Sequence, residues 1–268
     1  MADFTGSLYK LRQMDEMARG KSIIHKIHPL IKCIVTLIYI VTTVSFSRYE
    51  ILSILPLVVY PVIIISLSEI PAWFILKRVL IVSPFILFLG ILNPIFERTP
   101  VNIGGIVISA GYITFISLII KSFLTVFASL LLVCTAGMDN IAASLRIMHV
   151  PKIIVMVILL TYRYIFILTE ETARIVRAYH LRAPGQKGIK SSSWGSLAGQ
   201  LLLRTFDRAE KVYESMSLRG FKGEYNTGVK LKINAGDMLY LLVWGLFFAA
   251  CRFVNVPEVL GRLFMGVI

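Results

Sequence analysis

Six long apolar runs constrain what this chain can fold into. Runs of this length are typical of membrane-spanning helices, which need about 17–25 mostly apolar residues each. The 268 residues are 57% hydrophobic, above the ~45–50% of an ordinary soluble domain. The runs are Ile31–Phe46, Ile51–Leu67, Val79–Phe96, Ile106–Ala136, Ile153–Leu168 and Met238–Val254. We therefore predict an all-α polytopic membrane protein.

The fifth apolar run is the one that we do not expect to cross the membrane. A helix is predicted to begin at Pro151, a favourable first position, and to continue to about Leu181, roughly 45 Å. Its apolar half would pack under the other helices, and its Glu170–Arg182 half would enter the cytoplasm. Five spanning helices then remain, the first beginning near Pro29, and six spans is the alternative.

Positive charge indicates the orientation of the chain. Cytoplasmic loops of membrane proteins collect Lys and Arg, and residues 136–236 hold fifteen of these against seven acids. We read the net charge of +13 in this way, and we predict no nucleic-acid partner. The loops on the same side of the membrane as residues 136–236 hold Lys10, Arg12, Arg19, Lys21, Lys26, Lys77 and Arg78. The loops on the opposite side are poor in positive charge and hold only Arg48, Arg98 and Arg262. The N-terminus, the 69–78 link and residues 136–236 are expected in the cytoplasm of a multi-pass cell-membrane protein, with the C-terminus outside.

Three regions follow from this topology. Residues 1–135 form an N-terminal membrane part with four spanning helices, residues 136–236 form a cytoplasmic region, and residues 237–268 form a last spanning helix and tail. The cytoplasmic region is predicted to hold three helices: Asp139–His149, the long helix from Pro151, and a helix from about Trp194 to Leu218 with Ser192 or Ser193 as its cap.

The last of these helices is predicted to be amphipathic. Its apolar stripe would be Leu197, Leu201, Leu202, Ala209, Val212, Tyr213 and Met216. Arg204, Arg208 and Lys211 would lie on the other side. On the preceding long helix, Glu170, Glu171, Arg174 and Arg177 are spaced for ion pairs on a solvated face.

Residues that would carry catalysis, metal binding or a cofactor are not evident. Cys33, Cys134 and Cys251 share no ligand spacing, and the sequence has no Gly-rich phosphate loop. The carboxylates nearest the spans, Glu97 and Asp237, lie near span ends, which argues against an ion-coupled transporter. We therefore predict a non-enzymatic chain without catalytic, metal or cofactor residues.

A few polar residues in or near the spans are weaker candidates. Lys121 lies deep in an apolar run, where it could snorkel or bond a carbonyl, and Arg163 faces the same choice. His25 and His28 are three residues apart, but no carboxylate near them in the sequence completes a metal site. We favour structural roles for all four residues.

One short pattern occurs twice in the basic region. Ala178-Tyr-His-Leu181-Arg182-Ala183 is followed, thirty-seven residues on, by Ser215-Met-Ser-Leu218-Arg219-Gly220. A single arginine at a helix end could simply offset the helix dipole. Two arginines, each before a small residue that lets a partner approach, favour docking, since a guanidinium binds a carboxylate through two parallel hydrogen bonds. Gly220 is also well placed to end its helix.

The motifs of this region resemble the transmembrane (T) component of energy-coupling factor (ECF) transporters, most of all the cobalt-type, CbiQ-like branch. The likeness extends over most of the chain and is weakest in the second and third spans. It is carried by Leu181-Arg-Ala-Pro-Gly, Ser193-Trp-Gly-Ser-Leu, Asp207-Arg-Ala-Glu and Ser215-Met-Ser-Leu-Arg-Gly-Phe, by the stretch from Leu131 to Arg174, and by Ser22-Ile-Ile-His-Lys-Ile-His-Pro29.

The resemblance implies a scaffold between two cytoplasmic ABC-type ATPases and a metal-type substrate-binding membrane (S) subunit. It also implies that Arg182 and Arg219 dock into the ATPases. Here the family's Ala-Arg-Gly pattern reads Leu181-Arg182-Ala183 and Leu218-Arg219-Gly220, and these departures bear on the detail of docking.

Several readings of the function remain open. Cobalt is the implied cargo, with nickel as the nearest alternative and a vitamin further off. From other classes, an autonomous membrane channel or enzyme, or a scaffold binding anionic lipid through residues 136–236, would also suit an apolar, basic chain.

Overall fold

The computed structural model describes residues 13–97, 100–103, 106–186, 188–221, 223 and 233–253. Most of these residues are helical, so the predicted all-α class is confirmed, with one short β-hairpin added. Some residues used in the prediction lie outside the described part of the chain: Lys10, Arg12, Arg98, Arg262 and the C-terminal residues 254–268. The chain divides into two compact units.

The bundle unit comprises Met17–Gly137 and Leu231–Ile268. Its helices are α1 (Ile23–Lys26), α2 (Pro29–Ser45), α3 (Ile51–Ile54), α4 (Val59–Ser68), α5 (Ala72–Gly90), α6 (Leu92–Phe96), α7 (Ala110–Ala136) and α11 (Ala235–Phe253). A 3₁₀ turn, Leu55–Val58, joins α3 to α4. Strands β1 (Pro100–Ile103) and β2 (Ile106–Ser109) pair antiparallel before α7.

The helix-pair unit comprises Met1–Glu16 and Met138–Lys230. Its helices are α8 (Met138–Ile147), α9 (Lys152–Arg182) and α10 (Ser191–Leu218). The predicted long helix is confirmed, since α9 begins directly after Pro151 and runs for 31 residues. A small core of Ala142, Val155 and Leu159 joins α8 to α9.

Aromatic packing forms the centre of the bundle unit, where α2 packs against α7 and α11. The Tyr39 ring lies 4.7 Å from that of Tyr60 and 5.4 Å from that of Phe248, measured between centroids. Trp244 meets Tyr60 edge-on at 4.8 Å. Tilted and edge-to-face pairs of this kind add to the energy of apolar contact, so these rings fix α11 against α2 and α4.

Within the described part of the chain, five helical segments are long and apolar enough to span a membrane, by length and composition: Ile51–Ser68, Ala72–Phe96, Ala110–Ala136, Lys152–Arg182 and Ala235–Phe253. The number agrees with the prediction, but the membership differs. Helix α2 begins at Pro29 as expected, yet it has only 17 residues and belongs to the shorter apolar helices. Helix α9, which we had not expected to span, is long and apolar enough to do so.

Two predicted boundaries in the bundle unit were wrong. Helix α5 begins at Ala72, so Lys77 and Arg78 lie inside it and not in a link. The Arg78 guanidinium lies 3.8 Å from the Phe74 ring centroid, one helical turn back, and this cation–π contact suits a helix. Residues 106–109 form β2 and not the start of α7, as their β-branched composition favours a strand.

Candidate docking site

The first arginine motif ends helix α9. Arg182 is the last helical residue, and Ala183 follows as the C-cap, its N–H donating to the Tyr179 carbonyl at 3.0 Å. Arg182 is exposed, and 84% of the surface of Leu181 beside it is accessible. The motif therefore presents a cation and an apolar side chain together at a free helix end.

The second motif ends helix α10 in a different way. Leu218 is the last helical residue, so Arg219 is the C-cap and not part of the last turn. Gly220 takes a φ of 77°, and its N–H donates to the Ser217 carbonyl at 2.9 Å. The Phe221 N–H donates to the Met216 carbonyl at 3.0 Å, which completes a Schellman ending. The prediction that Gly220 ends this helix is confirmed.

Both motifs expose the same pair of side chains. Leu218 is 90% accessible, and Arg219 is exposed, as are Leu181 and Arg182. Among the accompanying motif positions, Ala178, Ser215 and Gly220 are exposed and Ala183 is half-buried. Each motif therefore presents an exposed leucine beside an exposed arginine, an apolar group and a cation that another molecule could contact together.

The loop between the two helices is held by Tyr179. Its hydroxyl donates to Gln186 Oε1 at 2.9 Å and accepts the Lys190 N–H at 3.3 Å. Helix α10 then begins at Ser191, three residues before the predicted Trp194. The predicted serine cap was wrong, because Ser192 and Ser193 lie in the first turn and Lys190 is the N-cap.

Helices α9 and α10 cross antiparallel. Near the middle of both, the Glu171 carboxylate pairs with Arg204 of α10 and with Arg174 of its own helix. Further along, Met156 of α9 and Met216 of α10 line the same groove, of about 310 Å³. The two arginine motifs therefore lie at opposite ends of the helix pair, up to roughly 40 Å apart at 1.5 Å per residue.

The predicted faces of α10 are correct in part. Leu197, Leu201, Val212 and Met216 are half-buried, whereas Leu202, Ala209 and Tyr213 are exposed. Four of the predicted stripe residues line the groove shared with α9: Ala209, Val212, Tyr213 and Met216. The placement of the three basic residues was wrong, since Arg204, Arg208 and Lys211 all line a groove shared with α9. Arg204 pairs with Glu171, and Arg208 lines the groove beside Thr205, because long basic side chains can lie along a contact and keep their charge in water.

Three of the four weaker candidates, Lys121, His25 and His28, have structural contacts. Lys121 donates to the Phe46 carbonyl at the end of α2, which is one of its two predicted roles. His28 caps α2, its Nδ1 accepting the Leu30 N–H at 3.2 Å. His25 Nδ1 lies 2.7 Å from the Ser22 hydroxyl, and burial beside the Lys32 ammonium lowers the pKa of its imidazole. Among the described residues, no three His, Cys, Asp or Glu side chains form a group able to hold a metal ion.

Two buried charges of the bundle unit escaped the sequence reasoning. Lys32 lies in the first turn of α2 and is only 3% accessible. Asp237, predicted merely near a span end, is 5% accessible, and its carboxylate accepts the N–H groups of His28 and Asn234, both at 2.8 Å. A charge inside an apolar run is a functional candidate, and this applies to Lys32 as it does to Lys121. Lys32 lies at the edge of its run, where a charge at the membrane interface is ordinary.

Comparison with known proteins places the chain in a family. A family model described as cobalt transport protein, CbiQ, matches residues 20–229, which include both arginine motifs. This chain belongs to the CbiQ family. The resemblance inferred from its motifs is thereby confirmed, and the chain is a transmembrane component of a transporter.

Individual relatives of this CbiQ family member carry related names. The chain is 26% identical over 242 residues to the energy-coupling factor transporter transmembrane protein EcfT of Ruminiclostridium cellulolyticum, covering 82% of this chain and 88% of the relative. It is 31% identical over 96 residues to the cobalt transport protein CbiQ of Rhodobacter capsulatus, covering 35% and 38%. It is 26% identical over 117 residues to the nickel permease LarQ of Lactiplantibacillus plantarum, covering 42% and 43%.

Proposed function

We propose that this chain is the membrane scaffold and coupling subunit of an ATP-driven ECF-type importer whose cargo is the cobalt ion. Its partners would be two cytoplasmic ABC-type ATPase subunits and a metal-type substrate-binding membrane subunit. The chain itself would bind no nucleotide and would hydrolyse no ATP. Membership of the CbiQ family supports the transporter part of this proposal.

One observation carries the docking part of the proposal. Two exposed Leu-Arg pairs, Leu181-Arg182 and Leu218-Arg219, stand at opposite ends of one antiparallel helix pair. Two like sites separated in this way suit two copies of a partner, or two similar partners. Each arginine could form paired hydrogen bonds with a partner carboxylate, while each leucine would fill an apolar pocket beside it.

The proposed topology places these ends in the cytoplasm. The N-terminus and residues 136–236 would face the ATPases, residues 1–135 and 237–268 would lie mainly in the membrane, and the C-terminus would be outside. The excess of Lys and Arg in residues 136–236 supports this orientation. A cysteine-labelling experiment at Ser215, compared in intact and opened cells, tests it: labelling in intact cells would contradict the cytoplasmic assignment.

The mechanism that we propose involves no bond chemistry in this chain. ATP-driven closing of the two ATPases would move Arg182 and Arg219, and with them the far ends of α9 and α10. The helix pair would pass that motion to the substrate-binding subunit and change the balance between its conformations. Helices α9 and α10 are in contact both at Glu171 and Arg204 and along the groove that Met156 and Met216 line, so we expect the two helices to move together.

Cobalt is proposed over nickel because the matching family model and two relatives are described by cobalt transport. A nickel permease among the relatives keeps nickel as the second candidate, and a vitamin stays a third. Uptake of radiolabelled Co²⁺ by the assembled complex, with unlabelled Ni²⁺ as competitor, separates the two metals. If unlabelled Ni²⁺ abolishes the uptake at a lower concentration than unlabelled Co²⁺ does, nickel is the favoured cargo.

A capture experiment tests the docking role. The chain is purified in detergent with the co-expressed ATPases, and the wild type is compared with the double variant Arg182→Glu/Arg219→Glu. We expect the double variant to lose ATPase capture, because each partner carboxylate would then meet a like charge. A matched control, Arg177→Glu/Lys211→Glu, changes the charge equally at exposed sites of the same two helices and should retain capture.

Further variants separate docking from the alternative readings. Attraction of residues 136–236 to anionic lipid should survive Arg182→Lys/Arg219→Lys, whereas a site that needs the planar guanidinium should not. Equal capture by the wild type and the glutamate variant would contradict the arginine assignment. Ion flux through the purified chain alone in vesicles would favour an autonomous channel instead.

A further inference from the structure

A buried lysine joins two helix ends in the bundle unit. The Lys32 ammonium donates to the Thr135 carbonyl at 2.9 Å and lies 3.5 Å from the His25 carbonyl. Thr135 is in the last turn of α7, and Lys32 is in the first turn of α2. A cation at the carboxyl end of a 27-residue helix interacts favourably with its dipole, so this contact ties the end of α7 to the start of α2.

The position of this contact along the chain is significant. The chain passes between the two compact units after Glu16, after Gly137 and after Lys230. Thr135 lies two residues before the second of these crossings. Gly137 itself has φ 76° and ψ 154°, a backbone conformation that is essentially restricted to glycine. This restricted backbone conformation thus lies two residues from the Thr135 carbonyl that accepts from Lys32.

Residues near the other two crossings contact the same short segment, residues 25–32. After the first crossing, Gly20 packs directly on the His25 ring, since a Cβ built on Gly20 would lie 2.7 Å from His25 Cε1. After the third crossing, the Asp237 carboxylate accepts the His28 N–H and the Asn234 N–H. Among the described residues, Gly20, Thr135 and Asp237, each within a few positions of one of the three crossings, therefore contact residues 25–32.

We propose that Lys32 is a positioning residue for coupling, which fixes the bundle-side ends of the connections to the helix-pair unit. This inference rests on the proposed function, in which motion of α9 and α10 drives transport. With Lys32 in place, displacement of the helix pair is carried into a rigid bundle. Without it, the last turn of α7 yields, and ATP hydrolysis continues with little transport.

An ordinary packing residue would not explain the choice of a lysine here. Burying an ammonium is costly unless it is hydrogen-bonded, whereas an apolar packing residue would carry no such cost. A lysine can instead join two parts of the chain, because its ammonium binds the carbonyls of both His25 and Thr135. A methionine of similar length would fill the space and remove both bonds, so it separates positioning from packing.

The test uses the complete complex reconstituted in liposomes, with wild-type chain, Lys32→Met or Lys32→Gln. Radiolabelled Co²⁺ uptake and ATP hydrolysis are measured together, and ATPase capture is measured in detergent. For both variants we expect unchanged capture and continued hydrolysis, with ions moved per ATP reduced at least about tenfold, within the usual range of coupling between sites. Lys121→Met is the matched control, since Lys121 also binds a helix-end carbonyl, that of Phe46, far in sequence from any crossing. It should leave the transport ratio unchanged.

Three results would overturn the proposal. The first is an unchanged ratio of ions to ATP in both Lys32 variants. The second is an equal fall of the ratio in Lys121→Met, since any lost helix-end contact would then have the same effect. The third is loss of capture together with transport in both Lys32 variants, which would make Lys32 a requirement for folding. Failure of the proposed function is distinct from all three, because it is seen in a wild-type chain that captures no ATPase.

Discussion

The bundle unit and helix α10 are both helical, but different interactions hold them. In the bundle, Tyr39, Leu57 and Phe248 are almost completely buried. In α10, which has 28 residues, no residue is buried. Amphipathic helices in globular proteins usually gain most of their stability from a packed apolar face. Helix α10 instead relies on its end structures and on sparse contacts with α9.

The comparison shows what the apolar residues of each region are for. Those of the bundle pack on one another or cover the surface of helices apolar enough to span a membrane. Those of α10 include Leu202, Leu203 and Phe206, which remain exposed. Apolar side chains left exposed along a helix indicate a surface that other molecules cover. The sequence of α10 therefore leaves an apolar surface that its contacts with α9 do not cover.

The largest predicted effect contrasts two phenylalanines. Phe248→Ala would leave a cavity among Tyr39, Tyr60 and Trp244, and it should lower the free energy of unfolding by about 3–5 kcal/mol. Phe206→Ala on α10, where the side chain is 64% accessible, should change it by no more than about 0.5 kcal/mol. Chemical denaturation of the purified chain in detergent measures both. Similar losses in the two variants would contradict the contrast.

Smaller effects are expected at two glycines in or just after α10, where one substitution should destabilise the helix and the other should stabilise it. Gly220→Ala forces a Cβ into a left-handed conformation, at a cost of about 1–2 kcal/mol. Gly199→Ala lies inside α10, where an added Cβ meets no atom within 4 Å, and should stabilise the helix by about 0.5–1 kcal/mol. Hydrogen exchange along α10 reads both changes. Faster exchange in Gly199→Ala would show that α10 is not limited by its helical propensity.

The smallest effect concerns the ion pair between α9 and α10. A double-mutant cycle with Glu171→Gln and Arg204→Met should give a coupling of about 0.2–1 kcal/mol, as for other exposed pairs. The coupling should shrink at high salt, because exposed charges are screened. The control cycle pairs Arg204→Met with Glu210→Gln, an exposed carboxylate elsewhere on α10, and should be additive. Coupling that is independent of salt would place the pair in a drier environment than its exposure indicates.

Much of this architecture could be predicted from the sequence. Long apolar runs, Pro151 before α9 and Gly220 after α10 are local signals, and they located those helices within a few residues. The two arginine motifs were also visible as a repeat. What the sequence could not show is which distant groups meet: Lys32 with Thr135, His28 with Asp237, and Glu171 with Arg204. Such contacts depend on tertiary packing. The pairing of Arg204 with Glu171 also explains why this basic side chain of α10 lies toward α9.

In the proposed function, the two helix ends contact the ATPases. Site-specific photo-crosslinking tests this contact most directly, with a photoreactive phenylalanine analogue replacing Leu181 or Leu218, one position at a time, in the complete complex. We predict a covalent adduct with an ATPase subunit from each leucine position, and none from the same analogue at Phe206 in the middle of α10. An ATPase adduct from Phe206, or the absence of an ATPase adduct from both leucine positions, would contradict this prediction.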